Sequence, residues 1–245
     1  MASNPIRTLL GLSETALEAL NYVSSATITT QLMHHGLRNT FLEGLSASNP
    51  ARQRLVGEAF TMGCIPARED IDVISVFQDY DHPQRRAIES VGPGSVLVID
   101  ARRQTRAASL GHILATRLRQ RGAAGLVTDG TVRDMAGFER LDLPTFTAGA
   151  SPTTNLAQHH VVDMQLPIGC AEVPVYPGDI MVGDRDGVVW IPRDIAEEVA
   201  LAAMEQERLE EFILARVENG HSIRGTYPPN EETLKKYHES GLAPQ

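Results

Sequence analysis

The sequence predicts an α/β domain with helical extensions at both ends, and three observations carry that expectation. Two short, continuous apolar runs, 95–100 (SVLVID) and 125–129 (GLVTD), read as strands covered on both faces. Between them, ASLGHILATRLRQRG places Leu110, Ile113, Leu114 and Leu118 on one helical face. The second half then changes to short apolar segments separated by turn residues. Strand, helix and strand in that order give a right-handed βαβ unit with parallel strands.

Each element has a local reason. Residues 13–23 form a helix with Ser13 as N-cap and Glu14 in the first turn, where the helix dipole favours an acid. Ala16 stands where a capping box would need Glu or Gln, but Leu17, Leu20 and Val23 still make an apolar face. A second short helix over 27–35 stops at Gly36, and 54–66 reads as a strand. A polar loop opens at 67–70 and runs to His82-Pro83, where another helix starts. In the central unit Pro93-Gly94 makes a turn, Ser109 is the expected N-cap, and Gly122 suits the C′ position after Arg117, Arg119 and Arg121.

Further on, 143–149, 159–170 and 177–192 are β segments, with Asp184-Arg185-Asp186-Gly187 as a hairpin turn. Asp194, with Glu197 three residues on, is expected to cap a long helix whose apolar side includes Ile195, Val199, Ala202, Leu209, Phe212 and Ile213. After Gly220 the chain is polar with one helical candidate at 230–239, an arm of the kind that clasps a neighbouring subunit. The expectation is one domain over 1–245, with a core of about 24–208 and the helix end and arm at 209–245.

Composition narrows the function classes. The 245 residues are 42% hydrophobic and 22% charged, an ordinary globular mix. A net charge of −9 argues against nucleic acid as a partner, because phosphate binding needs a basic face. No early apolar run approaches the roughly 20 residues of a membrane span, and the N-terminus lacks a signal-peptide pattern. Cys64 and Cys170 form no metal-spaced pattern and read as buried thiols in a reducing, cytoplasmic compartment.

The chemistry concentrates in the βαβ unit, whose loops at the strand ends open into one crevice. A helix starting between Ser109 and Gly111 offers unpaired N–H groups among Gly111, His112, Ile113 and Leu114, which favour a carboxylate. Gly111 removes a side chain that would block close approach. Arg133 leaves the adjacent strand and binds the same carboxylate in a fork. Asp134 is a hard oxygen ligand for Mg²⁺ or Mn²⁺, completed by waters and substrate oxygens. A 2-oxo carboxylate chelates such a cation, which polarises its carbonyl. The plainer alternative makes Asp134 an N-cap, Arg133 an ion-pair partner and His112 a solvent-facing residue.

The stretches RGAAGLVTDGTVRD and VYPGDIMVGDRDGVVWIP resemble the family containing the RNase E regulator RraA and the metal-dependent 4-hydroxy-4-methyl-2-oxoglutarate aldolases. The resemblance covers about residues 24–208. It implies a swivelling β/β/α domain of the RraA-like type, assembled as a homotrimer or homohexamer. It also implies a lyase that cleaves or decarboxylates small 2-oxo acids through a pyruvate enolate. By the same resemblance Arg133 binds the pyruvyl carboxylate and carbonyl, Asp134 ligates the metal, and Gly111, Ile113 and Leu114 surround the substrate-binding amides. The family signature is an Asp, twenty residues, then Arg-Asp; here the spacing is kept but the first position is His112. His112 would then move the proton, directly or through water. Two alternatives remain: a regulatory ring that inhibits a nuclease or another partner, and a hydratase or tautomerase of a 2-oxo sugar acid.

Other residues attract attention less strongly. His34-His35 and His159-His160 resemble ligand pairs, but strand neighbours point to opposite faces. Arg68, Glu69 and Asp70 read as a solvated loop. Arg102, Arg103 and Arg106 could steer an extra carboxylate or hydroxylated tail, or lie on the surface. Asp100 and Asp129 hold either metal-bound waters or turn amides. Glu205, Glu207 and Glu210 form an acidic helix face that is either solvated or offered to a neighbouring subunit.

Overall fold

A computed structural model describes residues 11–242. Residues 1–10 and 243–245, which the sequence reading assigns to the extensions, lie outside the described residues. The architecture is organised by β2 (Leu55–Pro66), which has three different neighbours along its length. Residues 55–58 pair antiparallel with β9 (Ile180–Gly183), 58–63 run parallel to β3 (Ser95–Asp100), and 62–66 pair antiparallel with β8 (His159–Met164). The sheet order is β1 (Ser46–Ala47), β7 (Thr145–Thr147), β5 (Gly125–Thr128), β3, β2, β9 and β10 (Val188–Ile191), with β8 on the end of β2.

The apolar run of β3 is buried on both faces, as its unbroken hydrophobicity requires. Leu97 and Ile99 join one core with α3 (Pro83–Ser90) and α4 (His112–Gln120), while Val96 and Val98 join another with Phe146, Met181 and Trp190. A third core packs α1 (Glu14–Tyr22) and α2 (Ser25–His34) with the first half of α6 (Ala196–Glu218) over β9 and β10. Among the described residues no helix is long and apolar enough to cross a membrane.

Two local expectations need correction. Ser109 does not cap α4: it lies buried in a strand, β4 (Ala108–Gly111), with its hydroxyl 2.8 Å from that of Thr128. The extended chain continues to Gly111, which takes the cap position without a side-chain bond. Asp194 does not cap α6 either, because a 3₁₀ turn over Arg193–Ile195 precedes that helix. Glu197 instead accepts the backbone N–H of Ser13 at 2.9 Å, tying α6 to the start of α1. The helix of the C-terminal arm, α7 (Glu231–Glu239), packs against α6, with the Tyr237 ring 5.6 Å from that of Phe212.

Beside the main sheet lies a small one that the sequence pattern did not announce. β4 pairs in parallel with β6 (Thr131–Arg133), and their register sets Gly111 opposite Arg133. This pairing positions the candidate site.

Candidate active site

Because β4 leads directly into α4, Gly111 stands at the junction of a strand end and a helix N-terminus. The N–H groups of Ile113 and Leu114 lie in the first helical turn and have no intrahelical acceptor. Asp134 follows β6 at the N-cap position of α5 (Met135–Phe138), but its carboxylate makes no cap bond. Its backbone is left-handed, with φ 65° and ψ 43°, a conformation uncommon outside glycine and the Asx residues. That twist turns the carboxylate back over β4. Oδ2 accepts the His112 N–H at 3.4 Å and stands 3.8 Å from Arg133 Nε.

The bare Cα of Gly111 makes this convergence possible. A Cβ there would sit 3.0 Å from Asp134 Oδ2 and 3.1 Å from Arg133 Nε, at or just above the closest approach that real Cβ atoms make. Arg133 and Asp134 remain about half exposed, so both are available to a ligand. They line a cavity of about 260 Å³ with Gly111, Ile113 and Leu114. That volume lies just below the range of drug-sized ligand sites and suits a small molecule.

His112 is placed differently from its sequence neighbours. Its ring does not line the cavity; it packs against Gly137, meets Phe138 edge-on at 6.2 Å between centroids, and lies 3.3 Å from the Thr116 hydroxyl. What His112 contributes at Asp134 is its backbone N–H.

The cavity has a second group of lining residues, Phe77, Gln84, Arg85, Thr154 and Asn155, which the sequence reading missed. One of them carried a usable signal. Gln84 shares its helical face with Ala87 and Ile88, and a polar residue on such a face implies a buried partner. Its amide donates to the Ser109 carbonyl at 2.7 Å, fixing α3 against β4.

The remaining candidates make contacts within the chain. Asp129 is buried and accepts from the N–H groups of Ala101, Arg103 and Ala171 at 2.6, 3.0 and 3.1 Å. Burial raises its pKa, and those three bonds oppose the rise. Asp100 accepts from the N–H groups of Arg102 and Gly169. Arg102 donates to the Gln158 carbonyl, Arg103 to those of Glu43 and Ala171, and Arg106 to the side chains of Gln104 and Gln158. Arg68 pairs with Asp70 within its own exposed loop. Glu207 accepts from Ser24 and Thr27 at the start of α2, and Glu210 from Gln206.

His159 and His160 separate as the strand geometry requires. His159 is buried with Nε2 on the Ala107 carbonyl, whereas His160 reaches Asp72 at 2.7 Å. His34 ends α2, and His35 lies 3.9 Å from Glu198. Both thiols are buried, and burial pushes that of Cys64 up to about 12, so neither supplies a thiolate nucleophile. Among the described residues no group of three or more His, Cys, Asp or Glu side chains converges to hold a metal.

Residues 25–190 match the family model described as RraA-like, Aldolase/RraA. The chain belongs to the RraA-like family. A Halalkalibacterium halodurans protein named "Putative 4-hydroxy-4-methyl-2-oxoglutarate aldolase" is 33% identical over 126 residues, 51% of this chain and 60% of that protein. The chain thus matches less than two thirds of that relative's length. A Thermus thermophilus 4-hydroxy-4-methyl-2-oxoglutarate aldolase is 30% identical over 122 residues, covering 50% of this chain and 73% of the relative. The crystal structure of Streptomyces coelicolor RraAS2, described as an unusual member of the RNase ES inhibitor RraA protein family, superposes with a TM-score of 0.73. It is 30% identical and covers 82% of this chain and 96% of its own. The RraA-like α/β fold expected from the sequence is therefore the fold observed.

Proposed function

We propose that the chain is a divalent-metal-dependent lyase that breaks a carbon–carbon bond in a small 2-oxo acid, by aldol cleavage or decarboxylation. The observation that carries this reading is the convergence of Arg133, Asp134 and the α4 N-terminus over the bare Cα of Gly111. The aldolase names of the relatives support the same class of reaction.

The donor set suits Mg²⁺ or Mn²⁺. Asp134 offers a single hard carboxylate, and such ions are often held by one or two carboxylates plus water and substrate oxygens. When bound, the ion supplies Lewis-acid polarisation of the 2-oxo group.

The chain's own residues do the rest. Arg133 holds the substrate carboxylate in a charged fork, with the N–H groups of Ile113 and Leu114 completing the cradle. In aldol cleavage the 4-hydroxyl loses its proton, the bond between C3 and C4 breaks, and its electron pair passes into the 2-oxo group as the pyruvate enolate. A proton taken up at C3 then gives pyruvate. Decarboxylation follows the same course with carbon dioxide as the departing fragment. His112 acts as a positioning residue: its N–H orients Asp134 and its ring fixes α5, so the proton travels through water in the cavity.

The test is a screen of small 2-oxo acids with Mg²⁺ or Mn²⁺, following pyruvate release or substrate loss. Saturable turnover that needs both Arg133 and Asp134 supports the proposal; no turnover with any 2-oxo acid counts against it. The Streptomyces relative, a member of an RNase ES inhibitor family, favours a second reading, a regulator that inhibits a nuclease. That reading expects a stable complex with a nuclease and no turnover. Assembly as a homotrimer or homohexamer belongs to the same proposal and is read from light scattering of the eluted protein.

A further inference from the structure

Apart from Arg133 and Asp134, the cavity offers a ligand a largely apolar wall. Phe77, Ala108, Leu110, Ile113 and Leu114 line it. Ile113 is 81% exposed, whereas Ala115 and Leu118 on the same helix are buried in the core. The polar residues of the wall are engaged within the chain. Gln84 donates to the Ser109 carbonyl, and the Thr154 hydroxyl donates to Asn155 Oδ1 at 3.3 Å. Arg85 donates from Nη2 to the Phe77 carbonyl at 2.7 Å, lies 5.7 Å from the Phe77 ring centroid and has its Nε buried.

The segment that carries Phe77 is fastened on both sides. Phe77 enters the wall from a 3₁₀ turn over Ile74–Gln78. Before that turn, the Asp72 carboxylate, 3% exposed, meets His160 Nδ1 at 2.7 Å and accepts the Arg68 N–H at 2.7 Å. After it, Arg85 on α3 holds the Phe77 carbonyl. Against such a wall a carboxylate gives up hydration and gains few donors, whereas a hydrocarbon group gains with every methylene it buries.

We propose that Phe77 and Ile113 select 2-oxo acids whose remote end is an uncharged alkyl or aryl group. This selectivity rests on the reading of the cavity as a 2-oxo acid site. In aldol cleavage the 4-hydroxyl gives up its proton, the bond between C3 and C4 breaks, and C4 departs as an alkyl or aryl aldehyde. C3 takes up a proton to give pyruvate. Such a substrate differs from 4-hydroxy-4-methyl-2-oxoglutarate, the diacid for which the Halalkalibacterium and Thermus relatives are named.

The test is calorimetry on the full chain with Mg²⁺ present. The ligands are pyruvate, 2-oxobutanoate, 2-oxopentanoate, 2-oxohexanoate and 2-oxoglutarate, together with propanoate and hexanoate. Affinity should rise about threefold per methylene, about thirtyfold from pyruvate to 2-oxohexanoate. 2-Oxopentanoate should bind about tenfold more tightly than its diacid counterpart, 2-oxoglutarate. Phe77→Ser and Ile113→Ser should each flatten the chain-length series by about threefold or more, and Phe77→Leu should restore most of it. Thermal unfolding establishes that the variants fold, and the exposed Ile113 decides if Phe77→Ser does not. A total gain below about threefold, 2-oxoglutarate binding as tightly as 2-oxopentanoate, or an unchanged series in the folded variants overturns the proposal. The contrast between each 2-oxo acid and its plain counterpart reports on Arg133 and Asp134 instead. A missing 2-oxo preference therefore sinks the lyase reading, while the chain-length series, hexanoate against propanoate included, still decides this one.

Discussion

The His112 ring and Gly137 are packed so closely that a Cβ on Gly137 would fall 2.5 Å from the imidazole Cγ. The side chain at the signature position is thereby held on α5 and away from the cavity wall. Gly137→Ala should push the ring aside and shift Asp134 with it, costing about 1–3 kcal/mol as overpacking does. Urea denaturation measures that cost. His112→Ala should lower kcat/KM while leaving the shape of the pH–rate profile intact. Loss of an acid limb in that variant would show that the imidazole carries the proton itself.

Metal dependence should be complete and reversible. With one protein carboxylate at the site, a chelator should strip the ion, and added Mg²⁺ or Mn²⁺ should restore activity. Full turnover after exhaustive chelation would rule out the Lewis-acid role. Asp134→Asn, which preserves the left-handed backbone, should fold normally and lose the metal response.

Substitutions at Gly111 and Arg133 separate space from charge. Gly111→Ala puts a methyl group between the two side chains and should reduce kcat/KM without unfolding the protein. Arg133→Lys keeps the charge but loses the planar fork, and should raise KM roughly tenfold or more. Unchanged kinetics in Arg133→Ala would remove Arg133 from the site.

Two histidines set an acid limit on stability. Burial lowers the pKa of His159, whose Nδ1 has no acceptor for a second proton. Burial and then Arg85 lower that of His82, whose Nδ1 accepts the Gln84 N–H at the start of α3. Each group takes up a proton more readily when unfolded. Their contribution is therefore complete above about pH 6.5 and is lost as pH falls through the lower folded values. Denaturation midpoints should fall as pH drops below about 6.5, and His159→Gln should flatten that slope.

Asp129 should prove structural. Replacing it with Ala leaves three N–H groups without an acceptor and should cost about 3 kcal/mol or more. A variant as stable as the wild type would make Asp129 a holder of metal-bound water instead.

The parts of the fold legible in the sequence were those with a local cause. The run SVLVID had to be buried on two faces, and the Asp184–Gly187 turn sits between two apolar runs that pair residue for residue across it. β4 was hidden because the apolar residues of 107–110 merge into the helical pattern that follows. Only a non-local partner, β6, makes that stretch extended. The site divides in the same way. Gly111, Arg133 and Asp134 stood out as a motif, whereas Arg85 and Asn155 reach the cavity from distant elements and leave no spacing to read. The direction of the His112 ring was likewise beyond sequence, since it depends on a glycine 25 positions further along the chain.

The left-handed backbone of Asp134 narrows how this position can change over evolutionary time. Glycine and asparagine accept that backbone but carry no carboxylate, whereas glutamate keeps the carboxylate and strains the backbone. No single exchange at 134 preserves both properties. A lineage that loses this aspartate without strain therefore loses its anionic ligand in the same step, and keeps a well-folded protein free to be recruited for something else.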